Sequence, residues 1–215
     1  MPTIAVIDYG MGNLRSVARA LEHVAPRATR VRITDRPEII ARAGRVVFPG
    51  QGAARDCMRA IEAHGLREPL LEAARTRPFL GMCMGLQVLL TYSEENDGTD
   101  CLGLFDGTVR FLGNDLRDDD GRRLKIPHMG WNGVHRVHRH ALWDGIADGA
   151  QFYFVHGYYA DPGDAALVAA TTEYGRTFCS AIARDNVFAC QFHPEKSSHD
   201  GLRLLRNFVA WDGAA

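Results

Sequence analysis

Short apolar runs alternate with stretches of helical period along the first half of the chain. Ile4 to Ile7 form an unbroken apolar run, Leu14 to Val24 repeat apolar residues at helical spacing, and Val31 to Thr34 and Arg45 to Phe48 make two further short runs. Runs of four to eight apolar residues between turn signals mark buried strands, and a 3.6-residue period marks an amphipathic helix. Helices over Ala53 to Glu62 and through Leu70 to Arg75 then lead into Phe79 to Met82, a fourth apolar run after a proline. The result is a βαβα rhythm, which predicts an α/β fold with a mostly parallel sheet and helices on both faces.

From Leu102 onward the texture changes. Thr108 to Leu112 and Arg123 to Ile126 flank the charged segment Asp115 to Arg122, and Asp120-Gly121 supplies a turn signal, so an added β-hairpin is predicted here. Its three consecutive aspartates lie in a polar loop without histidine at ligand spacing, which fits a solvated tip rather than a metal site. His128-Met-Gly-Trp-Asn132 exposes an apolar pair. Phe152 to Val155 is an aromatic strand leading into His156, strands follow at Leu167 to Thr171, Phe178 to Ala183 and Val187 to Phe192, and a helix runs from Gly201 to Trp211.

Composition narrows the class. A chain of 215 residues predicts one domain, since that length buries roughly 70% of its extended surface in a single core. The net charge of −1, with charges dispersed, argues against recognition of nucleic acid or an anionic membrane by bulk electrostatics. The N-terminal apolar run is too short for a signal peptide, and no stretch is long enough to span a membrane. Five cysteines without a Cys-x-x-Cys pair indicate neither a disulfide framework nor a zinc site, which fits a reducing cytoplasm.

The candidate chemistry lies where the hydrophobic period changes. In Pro78-Phe-Leu-Gly-Met-Cys-Met-Gly-Leu-Gln-Val-Leu-Leu90 an apolar strand gives way to helical spacing at Leu86, Leu89 and Leu90, with Cys83 between Gly81 and Gly85. Two glycines let strand and helix approach closely around a strained residue, as in the serine elbow of hydrolases. A cysteine at a helix N-terminus is favoured as the thiolate, the nucleophilic form. Gly-x-Cys-x-Gly also fits a buried structural cysteine, so the nucleophile reading requires a base elsewhere. Val187-Phe-Ala-Cys-Gln-Phe-His-Pro-Glu195 offers one. Side chains two apart in extended chain share a face, and Pro194 biases His193 toward that geometry, so Glu195 can hold one imidazole nitrogen and leave the other free. The backbone N–H of Met84 and the glycine loop Gly50-Gln51-Gly52, at another strand end, could donate to a developing oxyanion. Little steric preference at either glycine would let the Gln51 peptide flip, making activity switchable. Gly10 and Gly12 fit a tight turn or a contact loop better than a phosphate cradle, since the full dinucleotide spacing is absent, and His128 and His156 taken singly fit structural roles.

Together these segments resemble the class I, triad-type glutamine amidotransferases: Gly81-Met-Cys-Met-Gly-Leu-Gln87 is similar to their nucleophile motif and His193-Pro-Glu195 to their distal motif. Within that class, Asp8-Tyr-Gly-Met-Gly-Asn13, Pro49-Gly-Gln-Gly52, Pro127-His-Met-Gly-Trp-Asn132, Phe152-Tyr-Phe-Val-His156 and His193-Pro-Glu-Lys-Ser197 resemble the family of glutaminase subunits of imidazole glycerol-phosphate synthase. The resemblance implies a flavodoxin-like fold, no cofactor, and hydrolysis of glutamine through a thioester on Cys83, with His193 and Glu195 completing the triad. It implies that Gln87 and Glu95 bind glutamine. It further implies that ammonia passes to a (β/α)8-barrel cyclase subunit in a heterodimer, with Asn13, Met129, Trp131 and Lys196 facing that partner, in a step of histidine biosynthesis. A glutaminase serving another synthetase, such as one for guanine nucleotides, and a non-catalytic scaffold are the competing readings. Two positions depart from the pattern: Gln51 replaces a small aliphatic residue, and Gly157 stands where a serine commonly follows the histidine. The charged segment around Asp118 is longer than the catalytic task needs.

Overall fold

The computed structural model describes residues 2–214. In its first half β1 (Thr3–Ile7), α1 (Leu14–Val24), β2 (Arg30–Thr34), α2 (Pro37–Arg42), β3 (Arg45–Gly50), α3 (Ala54–Ala63), α4 (Arg67–Thr76), β4 (Phe79–Cys83) and α5 (Met84–Gln87) follow one another. Two short strands, β5 (Tyr92–Ser93) and β6 (Thr99–Asp100), precede β7 (Gly107–Phe111), β8 (His128–Arg136), β9 (Ala150–His156) and β10 (Tyr158–Pro162). The chain continues through β11 (Val168–Glu173), β12 (Thr177–Arg184), β13 (Val187–Cys190) and α6 (Ser198–Ala210). Among the described residues no helix is long and apolar enough to cross a membrane.

Five strands pair in parallel in the order β2-β1-β3-β4-β13, the flavodoxin-like arrangement. Their residues alternate between two cores, as the two-residue period of a strand requires. Ala5, Ile7, Val46, Phe48 and Phe79 pack beneath α2, α3 and α4, against Ile40, Cys57, Ile61 and Leu70. Ile4, Val6, Val47, Leu80 and Met82 face α1 and α6 through Val17, Leu21, Leu205 and Phe208. Beyond β13 the sheet turns antiparallel through β12, which branches to β10-β7-β5-β6 and to β11-β8-β9.

Helix α1 matches its sequence expectation residue for residue. Helix α2 is an element the periodicity misses, although Pro37 at its first turn and Glu38 behind it are start signals. The expected hairpin between Thr108–Leu112 and Arg123–Ile126 does not form. Instead β7 pairs antiparallel with β10 and parallel with β5. Val109, opposite Ala160, is completely buried there, whereas the charged and half-exposed 123–126 segment could not cover it. A tight turn does close at the predicted place: Arg117 bridges Arg123, Asp118 accepts the backbone N–H groups of Asp120 and Arg122, and Gly121 takes φ +79°. The His128 segment, read only as an exposed pair, is the start of a nine-residue strand.

Two packing features set the active end of the sheet. The first is the approach of α5 to β3. A Cβ at Gly85 would lie 1.9 Å from the Phe48 carbonyl oxygen, and one at Gly81 would lie 2.6 Å from the Gly85 oxygen. The second is the pairing of His128 with His156 across β8 and β9. His156 Nδ1 must donate to the Tyr158 carbonyl 2.9 Å away, so its Nε2 accepts from His128 Nδ1 at 3.1 Å. Burial lowers the pKa of His128 to about 4 and of His156 to about 3, so both rings are neutral.

Gly85→Ala is expected to cost about 3 kcal/mol or more, because the obstacle is backbone that cannot rotate away; urea denaturation of the two chains measures it, and a loss within error would mean that the elbow can shift. The histidine pair predicts an acid limb in stability. Unfolded histidines take up protons below about pH 6.5 while the folded pair resists, so stability is full above that pH and falls toward pH 4, by up to about 1.4 kcal/mol per pH unit for each ring. Denaturation at pH 7, 5.5 and 4.5 should show this slope flattened in His156→Gln; an unchanged slope would assign it to other groups.

Candidate active site

Cys83 sits at the C-terminal end of β4, with φ 55° and ψ −108°, as N-cap of α5. Positive φ is strained for a residue with a side chain. The conformation persists because its surroundings leave no alternative: Gly81 and Gly85 allow the close crossing, and Gly50, directly opposite Cys83 in the β3–β4 register, brings a third backbone alongside. A Cβ at Gly50 would meet Met84 Cβ at 2.6 Å and Tyr9 Oη at 2.4 Å, while Tyr9 Oη donates to the Pro49 carbonyl at 3.0 Å. Of the two loop glycines only Gly52 uses a positive φ, +94°. Helix α5 is a single turn, shorter than the spacing of Leu86, Leu89 and Leu90 suggests; the chain continues in tighter turns that still bury all three leucines.

Parallel pairing of β13 with β4 puts Cys190 opposite Met82, so the residues after β13 arrive beside Cys83. His193 keeps the extended backbone expected before proline, φ −107° and ψ 93°. Pro194 then starts a single 3-10 turn, so Glu195 meets His193 across a turn rather than along an extended strand; the Nδ1 to Oε1 distance is 3.0 Å. Both side chains are almost wholly buried, at 5% and 2% exposure. Burial opposes a charge on His193, but hydrogen bonds with Cys83 and Glu195 outweigh it and raise its pKa to about 10. Ser197, which sequence reasoning did not single out, anchors this turn. Its hydroxyl donates to the His193 carbonyl at 2.6 Å and accepts from the Tyr153 N–H at 3.0 Å, and the His193 N–H donates to the Tyr153 carbonyl at 2.9 Å.

A cavity of about 290 Å³ opens onto Cys83 and His193, between the Gln51-Gly52 loop, Met84, Glu95 and Tyr158. That volume is at the small end of ligand pockets. Gln87 lines it, but its Nε2 is committed within the protein, to the Tyr158 carbonyl and to Gln191, both at 2.9 Å. Glu95 lines it too while its Oε2 accepts the Ala54 N–H at 2.7 Å, at the first residue of α3. A Cβ at Gly157 would meet nothing closer than 3.7 Å, so the position has room for the side chain it lacks. A larger hollow of about 910 Å³ beside Trp143 and Trp211 has no cysteine in its lining.

The four expected partner-facing residues do not all sit alike. Met129 and Trp131, two apart on β8, are 63% and 51% exposed, and Trp131 packs edge-on to Tyr153. The Lys196 ammonium lies 6.0 Å from the same Tyr153 ring. Met129 pairs with Val155, whose carbonyl is 3.9 Å from Cys83 Sγ, so this surface lies immediately behind the nucleophile. Asn13 is apart from them, exposed at the start of α1 and beside a small void that it shares with Gln51 and Glu195.

Comparison with known proteins agrees with this architecture. Residues 5–211 match the family described as glutamine amidotransferase class-I. The imidazole glycerol phosphate synthase subunit HisH of Thiobacillus denitrificans is 60% identical over 97% of this chain and 91% of its own length. The subunit of the same name from Dechloromonas aromatica is 58% identical over 97% and 96%. Among solved structures, a putative GMP synthase subunit from Thermoplasma acidophilum superposes with a TM-score of 0.70 at 17% identity, covering 98% of this chain and 93% of that one. PurLQS from Thermotoga maritima gives 0.69 at 18%, covering 97% and 98%. At those identities the likeness is one of fold. With the family match spanning nearly all of its length, the chain belongs to the class-I glutamine amidotransferases, among relatives of the HisH type.

Proposed function

We propose that residues 1–215 act as one amidotransferase domain, the glutaminase subunit of an imidazole glycerol phosphate synthase in histidine biosynthesis. It hydrolyses glutamine to glutamate and ammonia and hands the ammonia to a (β/α)8-barrel cyclase subunit. Near-full-length identity of 54–60% to HisH subunits supports the assignment. The observation that carries the chemistry is the buried His193–Glu195 pair closing on Cys83 at a strained strand end.

With its pKa raised to about 10, His193 holds a proton at neutral pH and stands beside Cys83, whose thiolate is the nucleophilic form. The Cys83 sulfur attacks the side-chain amide carbon of glutamine. The carbonyl oxygen gathers negative charge, to which the Met84 N–H at the start of α5 and an N–H of the Gly50-Gln51-Gly52 loop would donate. His193 gives its proton to the nitrogen as the C–N bond breaks, releasing ammonia and leaving a glutamyl thioester. It then takes a proton from water, whose oxygen attacks the thioester; the C–S bond breaks, glutamate leaves and the thiolate returns. Glu195 fixes the imidazole through Nδ1, so that the same Nε2 serves both half-reactions. Gln87 and Glu95, in the cavity wall, would orient the glutamine.

The exposed Met129 and Trp131, with Tyr153 and Lys196 beside them, form the surface on which the cyclase would dock, and its position behind Val155 gives ammonia a short route out. Cytoplasmic location and a heterodimer follow from this reading.

Cys83→Ala is expected to abolish glutamine-dependent synthesis by the complex while sparing ammonia-dependent synthesis; loss of both activities would make Cys83 structural. Trp131→Ala should weaken association with the cyclase by at least tenfold, as for an aromatic anchor at an interface. Its melting temperature should stay within a few degrees of the parent, and calorimetric titration with a thermal melt tests both halves. A large drop in melting temperature would place Trp131 in the fold rather than at the interface.

A further inference from the structure

Cys83 has a polar neighbour besides His193. Gln191, fully buried one residue past β13, places its side-chain amide 3.7 Å from Sγ. Which end of the amide faces the sulfur is decided by Gln87. The Tyr158 carbonyl can only accept, so the Gln87 atom 2.9 Å from it is Nε2. The same Nε2 also lies 2.9 Å from Gln191, where its second hydrogen requires an acceptor, and that atom is therefore Oε1. The Gln191 Nε2 is thereby turned to Cys83. The backbone leaves it little room to withdraw, because the Gln191 N–H donates to the Ser180 carbonyl at 2.9 Å and the β13–β4 register sets it alongside Cys83.

The sulfur needs such a donor. The Val155 carbonyl, 3.9 Å away, favours a thiol that can donate to it and opposes a negative charge. An amide N–H has the opposite preference, since it bonds more strongly to a thiolate than to a thiol. We propose that Gln191 is a further catalytic residue: its Nε2–H hydrogen-bonds the Cys83 thiolate, and Gln87 is the positioning residue that locks the amide in that orientation. This rests on Cys83 being the nucleophile. It also gives Gln87 a task within the protein that does not depend on contact with glutamine.

The test is the rate at which iodoacetamide alkylates Cys83 in the full chain at pH 7 and pH 10, with Cys83→Ala as the blank for the other four cysteines. Gln191→Met removes the donor at similar length. Gln191→Glu keeps the shape and the acceptor for Gln87 but places an oxygen against the sulfur. The remaining titratable groups near the sulfur are unchanged in both: His193, His156, Tyr158, Glu95 and Lys196 around the cavity, Glu195 on His193, and Tyr9 and Cys190 behind it. Loss of one hydrogen bond to the charged form predicts about a tenfold slower reaction at pH 7 in Gln191→Met and at least that in Gln191→Glu. At pH 10, above the usual cysteine range, rates should agree within about twofold. Glutamine hydrolysis with the cyclase present should lose kcat with little change in KM. Unchanged rates at pH 7, or equal losses at both pH values, would overturn the proposal. Should neither variant fold, Gln87→Met, which frees the amide without removing it, must still slow the pH 7 reaction selectively, and failure to do so overturns it equally. Glutamine hydrolysis by the unmodified complex is the separate check on Cys83 as the glutaminase nucleophile; if it is absent, the function assigned above fails whatever the alkylation rates.

Discussion

The close crossing of α5 over β3 governs the active end of this molecule. With 1.9 Å between a hypothetical Gly85 Cβ and the Phe48 carbonyl oxygen, the contact tolerates no side chain, and it forces the chain to turn within one residue. That residue is Cys83, at φ 55°. Its strain costs stability, of order 1–3 kcal/mol, and is carried by the two cores that grip β4 from either side. In return the sulfur projects from a fixed backbone into the cavity, where Gly50 on one side and the segment after β13 on the other complete the surroundings.

Histidines in one small region are driven to opposite protonation states by their partners. His156 is buried and hydrogen-bonds a neutral ring and a backbone carbonyl, so desolvation dominates and it remains neutral down to about pH 3. His193 is almost as buried, yet it faces the Glu195 carboxylate and the Cys83 sulfur, which both favour its cation, and it holds its proton to about pH 10. The difference lies in the chemistry of the second atom along each hydrogen bond rather than in depth. The neutral pair joins the Tyr158 carbonyl, which also receives Gln87, so the buried polar groups form one continuous chain from β8 to the nucleophile. Such a chain is stable only when every member is satisfied. The geometry therefore constrains several residues that never contact substrate.

Much of the site was legible beforehand because its signals are local. Glycines on both sides of Cys83, the change of hydrophobic period there, and proline after His193 each report a backbone requirement met within a few residues. The apolar pair Met129 and Trp131, in a segment bounded by polar residues, was likewise read as exposed, and both are exposed. Gln191 and Ser197 were passed over. A polar residue interrupting the apolar Val187–Phe192 run is a signal that could have found Gln191, since a buried amide demands partners. Ser197 stood only as the last residue of a motif, with no role read from it: its worth lies in reaching Tyr153, 44 positions earlier.

The sequence alone determined the α/β rhythm, the limits of α1 and the positions of the strands that bear Cys83 and His193, because periodicity, glycine and proline act over a single turn or strand; the family came from the resemblance of its motifs. The tertiary structure decided which strands pair. β7 took β10 instead of the 123–126 segment because burial of Val109 against Ala160 depends on partners about fifty residues apart. It also decided the direction of the buried amides and the protonation of the histidines. Those depend on what each polar atom meets after water has been excluded, and distances between atoms that far apart in the chain exist only once the sheet has assembled.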